Sequence, residues 1–102
     1  MTPEDVQAIV ESQLADTSDK TDVRSALVTP FVQEFVLNDT YEQMSVPVKS
    51  VVSYWVVALG QFYSVFYDPD TREFGLADVL IDSKVPYTVG VRGDLVSTFR
   101  AM

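Results

Sequence analysis

The chain has 102 residues, a formal net charge of −8, 47% hydrophobic and 22% charged residues, and neither cysteine nor histidine. That length and apolar content suffice for a core without metal or disulfide support, and they argue for a single folded domain over residues 1–102. The missing residue types remove disulfides, thiol nucleophiles, Ser-His-Asp relays, histidine acid–base steps and the usual zinc and iron–sulfur ligand sets, while the acid excess disfavours direct binding to nucleic acid, whose phosphates need a basic patch.

The charge is lopsided. Residues 1–42 carry nine acids against Lys20 and Arg24, whereas residues 43–102 carry six acids and five bases. An acidic half suits a basic protein surface, and it also keeps a small chain soluble. The first ten residues lack the basic and apolar regions of a signal peptide, and no apolar run is long enough for a membrane helix. A cytoplasmic protein with no membrane association is expected.

In chain order, Thr2, Pro3, Glu4 and Asp5 form a helix start. Threonine caps, proline suits the first helical position, and acids in the first turn suit the helix dipole. Val6, Ile9, Val10 and Leu14 then recur on one face, which predicts an amphipathic helix over about 3–15. Asp16 to Thr21 reads as a polar loop. Asp22 to Val28 fits a short helical turn capped by Asp22 and stopped ahead of Pro30. Phe31 to Leu37 is rich in β-formers and predicts a strand, with Phe31, Gln33, Phe35 and Leu37 on one face and Val32, Glu34 and Val36 on the other. A helix pairing Phe31 with Phe35 is the alternative there. Asn38 to Thr40 reads as a turn, and Tyr41 to Val48 as a connection or an edge strand kept short by Pro47.

Residues 49–77 dominate the rest. They hold the only tryptophan, three of the five tyrosines and three of the six phenylalanines, and they read as a three-stranded antiparallel meander. Ser50 to Leu59 is the first strand. A two-residue turn at Gly60 and Gln61, with glycine first as a type II′ turn prefers, pairs Trp55 with Phe66 on one face and Tyr54 with Tyr67 on the other. Asp68, Pro69, Asp70 and Thr71 suit a type I turn. A two- or four-residue loop there puts Phe74 and Leu76 on the face of Tyr54, Val56 and Val65, and a three-residue loop with a bulge puts them on the face of Trp55 and Phe66. The first is favoured, because Thr71 is a poor left-handed residue. Both faces of this meander carry large apolar groups, so the pattern calls for helices on both sides, or a helix on one and a partner chain on the other. Beyond it, Asp78 to Asp82 suits a short strand or helical turn, Tyr87 to Val91 an edge pairing, and Asp94 caps a C-terminal helix with Leu95, Phe99 and Met102 inward.

Three patterns invite a chemical reading. Asp68, Asp70 and their neighbours resemble the start of a calcium loop, but Arg72 and Glu73 stand where such a loop wants an oxygen ligand and a glycine. Arg92, Gly93 and Asp94 spell an integrin-type tripeptide that a helix cap already explains. Asp68, Asp70, Glu73 and Asp78 are the carboxylates available for acid–base or magnesium chemistry, with no phosphate loop beside them.

These observations predict an α+β fold: an antiparallel β-meander of three to five strands packed with an N-terminal amphipathic helix and a short C-terminal helix. The expected function is a small acidic, non-enzymatic protein-interaction module of bacterial or phage type, in a binding, inhibitor or immunity-type role, or a homodimer joined through the sheet. No cofactor or metal is expected. The candidate contact residues are Tyr54, Trp55, Tyr63 and Tyr67 on the sheet, since tyrosine and tryptophan anchor interfaces, and Glu11, Asp16 and Asp19 on the acidic half. The competing reading is a carboxylate-dependent enzyme or small-ligand binder with a site near residues 63–78.

Overall fold

A computed structural model describes residues 1–15, 21–36, 51–78 and 86–101. Helix α1 spans Pro3–Ala15, as its spacing predicts. Its start is a reciprocal capping box. The Asp5 amide donates to Thr2 Oγ1 at 3.2 Å, and the Thr2 amide donates to Asp5 Oδ2 at 2.9 Å. Val6, Val10 and Leu14 are fully or almost fully buried, with Ile9 packed beside them. A second helix, α2, covers Thr21–Ala26 and runs directly into strand β1, Leu27–Val36.

The remaining strands are β2 (Val51–Leu59), β3 (Tyr63–Asp68), β4 (Glu73–Asp78) and β5 (Tyr87–Gly93), followed by helix α3, Leu95–Arg100. Asp94 caps α3 by accepting from the Ser97 amide at 2.7 Å, and the Leu95 amide donates to Gln13 Oε1 at 3.1 Å, which ties α3 to α1. The α+β meander and its two flanking helices are thus as expected. The predicted segments at 16–20, 37–50 and 79–85, and the inward Met102, lie outside the described residues.

Consecutive strands pair antiparallel, and the sheet then closes into a barrel. Five strands in a meander bring the first and last side by side in parallel. They meet where Val36 aligns with Tyr87 and the Val36 amide donates to the Pro86 carbonyl at 3.0 Å. Tyr87, which opens the segment expected at an edge, is therefore flanked by both β4 and β1.

Closure answers the question the two apolar faces posed. The expectation of helices or a partner chain on the second face is corrected. That face curls onto itself, and Phe35, Tyr54, Val56, Phe66 and Ala77 fill the interior. The other face packs Val57, Val65, Tyr67, Phe74 and Leu76 under α1, α2 and α3. Each core is continuous, and burying a side chain of valine or leucine size stabilises by about 1.5–3 kcal/mol.

Three irregularities bend the sheet enough to close. On β1, Leu27 aligns with Ala58 and Phe31 with Val56, so the chain between them bulges. Pro30 sits in that interruption, where its missing N–H leaves no gap in the ladder. On β2, Val57 is an extra residue between the Val56–Phe66 and Ala58–Val65 pairs. On β5, the run between Thr88 and Arg92 bulges against Leu76, with Gly90 at φ 83°, a conformation glycine adopts without steric cost.

The β2 bulge corrects the expected hairpin register. The loop closes one residue later than predicted. The Gly60 amide donates to the Tyr63 carbonyl at 2.8 Å, leaving Gln61 and Phe62 at the tip, and Gly60 does not take a positive φ. Trp55 consequently aligns with Tyr67 and Val56 with Phe66. The next turn is the favoured four-residue loop. Asp68 pairs with Glu73, and Phe74 and Leu76 lie beside Tyr67 and Val65, but the β2 bulge puts Tyr54 and Val56, expected on the same face, on the other side of the sheet. Its left-handed position falls on Arg72, φ 59°, whose amide donates to the Asp68 carbonyl at 2.8 Å.

Candidate functional site

The expected contact residues divide between the layers. Tyr54 is only 8% exposed and lies inside the barrel, stacked on Phe66 with ring centroids 4.7 Å apart. Tyr67, 4% exposed, packs against Phe74 on the helix-covered side. Trp55 and Tyr63 are half-buried on that same outer side. The expected placement of Tyr54 and Tyr67 on one face is therefore corrected, and Tyr63 shares the side of Tyr67. The extra residue at Val57 puts Tyr54 on the opposite side of the sheet from the other two, and the rings of Tyr54 and Tyr67 are spent on packing within the chain.

Of the acidic candidates, Glu11 on α1 forms a two-pronged ion pair with Arg24 on α2, at 3.1 and 2.9 Å. Asp16 and Asp19 lie outside the described residues. Asp22 meets Arg100 at 3.5 Å, linking α2 to α3, and the hydrogen bond from Arg100 holds its carboxyl below the ordinary range. The Asp5 carboxyl is held low by the Thr2 amide of the capping box. Two acids of the N-terminal half, Glu11 and Asp22, thus bind the helices to one another.

The carboxylates of residues 68–78 do not converge. Asp68 is buried, Asp70 is exposed, and Glu73 and Asp78 are half-buried at opposite ends of β4. Among the described residues no three acidic side chains gather as a metal-binding group. Asp68 Oδ1 accepts from the Asp70 amide at 2.9 Å and the Thr71 amide at 3.5 Å, so it organises its own turn. Its other oxygen accepts from Arg92 Nη1 at 2.9 Å, with the side chains only 5% and 18% exposed.

No pattern in the sequence marks Arg92 as a packing element, yet it ties one end of the barrel together. Gly75 stands opposite it on β4. A Cβ on Gly75 would overlap the Phe66 ring, so glycine makes room for that ring beside the guanidinium. Arg92 Cζ lies 5.5 Å from the Tyr54 ring centroid and 5.4 Å from that of Phe66, and Nη2 donates to the Tyr54 hydroxyl at 3.3 Å. Cation–π attraction and two kinds of hydrogen bond therefore hold one cation in place. The Arg92-Gly93-Asp94 tripeptide is consumed in the same way. Its arginine is bound inside the barrel and its aspartate caps α3.

Several large apolar side chains remain accessible among the exposed polar ones. Phe31, Val32, Val51, Leu59 and Phe62 are each 42–55% exposed. Leu59 ends β2 and Phe62 sits at the tip of the β2–β3 turn. Val32 and Val51 belong to the outer face of the β1–β2 pair. No helix among the described residues is long and apolar enough to cross a membrane. No family model matches the chain, and comparison with curated proteins and with solved structures likewise gives no match.

Proposed function

We propose that the chain is a small acidic, non-enzymatic protein-interaction module that works in the cytoplasm in a binding, inhibitor or immunity-type role. The observation that carries this reading is the set of large apolar side chains left about half exposed on regular strands and a tight turn, Phe31, Val32, Val51, Leu59 and Phe62. Side chains of this size in register on a strand serve a partner better than they serve water. The acid excess points to a partner with a basic surface. A homodimer through the sheet loses its original motive, since the interior face is filled from within by Phe35, Tyr54 and Phe66. A carboxylate-dependent site near residues 63–78 has less support, because Asp68 is engaged by Arg92 and its own turn.

The test is capture from lysate of the native host, followed by reconstitution from purified components, with light scattering of the pure protein alongside. The expected result is a monomer that forms a stoichiometric complex with one host protein. Failure to reconstitute any complex, or turnover of a small substrate by the pure chain, overturns the reading.

A further inference from the structure

The outer face of the β1–β2 pair has a built order. Three cross-strand pairs lie along it: Val32 with Trp55, Glu34 with Ser53, and Val36 with Val51. Paired residues in an antiparallel ladder point to the same side, and alternate residues share a face. Phe35 and Tyr54 point into the barrel, so these six point outward. The helices cover this side of the sheet at Val57 and Ala58 and reach Trp55. Beyond that, Val32 is 55% and Val51 52% exposed, and Glu34 and Ser53 are exposed between them. The Glu34 side chain makes no hydrogen bond or ion pair among the described residues, whereas Glu11, Asp22 and Asp68 each have a cationic partner.

We propose that this face is a docking surface for a protein segment that presents one lysine or arginine flanked by apolar side chains. The inference rests on the interaction-module reading and names its surface and partner chemistry. An accessible carboxylate set between two apolar pairs is complementary to that arrangement, because the apolar contacts exclude water around the ion pair. Val32 and Val36 lie about 13 Å apart along the strand at ~3.3 Å per residue. An extended segment of the pattern apolar, any, cation, any, apolar has the same span. A second copy of this chain fits poorly. It brings −8 against −8 and sets carboxylate-bearing faces against each other. Anionic lipid and nucleic acid are disfavoured on the same ground. Trp55, half-buried at one end of the face, is the aromatic anchor, and as the only tryptophan it is also a reporter.

The experiment uses the full chain and a panel of immobilised twelve-residue peptides carrying the apolar–cation–apolar pattern, with glutamate-for-cation and scrambled controls. Wild-type protein is expected to retain the cationic peptides at least tenfold better than the acidic ones, and soluble cationic peptide should shift Trp55 emission to the blue. Glu34→Gln should abolish the preference and Glu34→Lys should invert it, with circular dichroism unchanged in both. A preference insensitive to Glu34, or amide shifts mapping away from β1 and β2, overturns the surface. Concentration-dependent dimerisation that shifts Trp55 without peptide overturns it in favour of a second copy. Trp55 emission already that of a buried indole and unmoved by any peptide overturns it in favour of cover from within the chain. If a host partner reconstitutes equally well with Glu34→Lys, the surface falls while the interaction-module reading stands.

Discussion

The interior ion pair permits a quantitative test of the barrel. Arg92 and Asp68 meet at 2.9 Å with little of either side chain in water. Removing one partner of such a pair strands the other charge and costs about 3–5 kcal/mol. Asp68→Asn removes the carboxylate charge but keeps an oxygen for the Asp70 and Thr71 amides, so its cost isolates the charge from the turn. Arg92→Met keeps the aliphatic stem, strands the Asp68 carboxylate, and loses the cation over the Tyr54 and Phe66 rings, a contact worth roughly 0.5–2 kcal/mol. Combining them removes both charges, and the double variant should lose only about 1–2 kcal/mol, since replacing a whole buried pair is nearly neutral while breaking it is not. The expected coupling energy is therefore several kcal/mol, read as a double-mutant cycle. Urea unfolding followed by Trp55 fluorescence and far-ultraviolet circular dichroism gives the four stabilities. With a slope of about 1–3 kcal/mol per molar, each single substitution should lower the midpoint by at least ~1 M. The ion pair should also persist in high salt, which screens the exposed Glu11–Arg24 pair. Single costs below ~1 kcal/mol that simply add in the double variant would match a solvated surface pair and refute the interior placement of Arg92.

Three further outcomes follow from the same geometry. Gly75→Ala should destabilise by about 1–3 kcal/mol, because a Cβ there displaces the Phe66 ring in a filled interior; calorimetry checks this, and a neutral result would mean that the ring has room to move. Arg72→Gly should stabilise by a few tenths to about 1 kcal/mol, the relief of a left-handed non-glycine residue less the entropy glycine adds to the unfolded chain; the urea midpoint reads it. The Asp22 carboxyl should titrate below the ordinary 3.8 by carbon-detected NMR, and Arg100→Gln should return it towards that value. Its folded pKa is depressed, so its contribution to stability is present above the unfolded value and is lost as pH falls through the folded one; Asp22→Asn should remove that part of the acid sensitivity.

The parts of the fold legible in the sequence are those fixed by neighbours in the chain. Thr2, Pro3 and Asp5 set the start of α1, Asp94 sets the start of α3, and the four residues after Asp68 set the length of the β3–β4 loop. Each is a local hydrogen-bond or steric demand. The β2–β3 register was not legible, because Val56, Val57 and Ala58 are apolar in succession and an extra residue there leaves no break in the alternation. All three are fully buried, on two different sides of the sheet. Gly60 added to the error, since it offered a tight turn that the chain makes one residue later. The role of Arg92 depends on Asp68, Tyr54, Phe66 and Gly75, which are brought together only by barrel closure. No spacing within a single strand announces it.

The register shift also changes where function is to be sought. While Tyr54 and Tyr67 are assigned to one face and Trp55 and Phe66 to the other, both faces look like interface material, and a partner chain is an economical cover for one of them. One bulged residue at Val57 re-sorts these rings. Tyr54 and Phe66 become the interior under Arg92, and Trp55 and Tyr67 become the outer layer. A sheet that buries one face by curling and most of the other beneath three helices has spent its strongest apolar pattern on its own stability. The weaker alternation on β1 then carries more information about binding. Val32, Glu34 and Val36 share a face, and once Phe35 is fixed in the interior that face must point outward. The residues left for the proposed recognition are therefore those the core does not need, and along β1 and β2 they form an ordered set of apolar side chains around one accessible carboxylate.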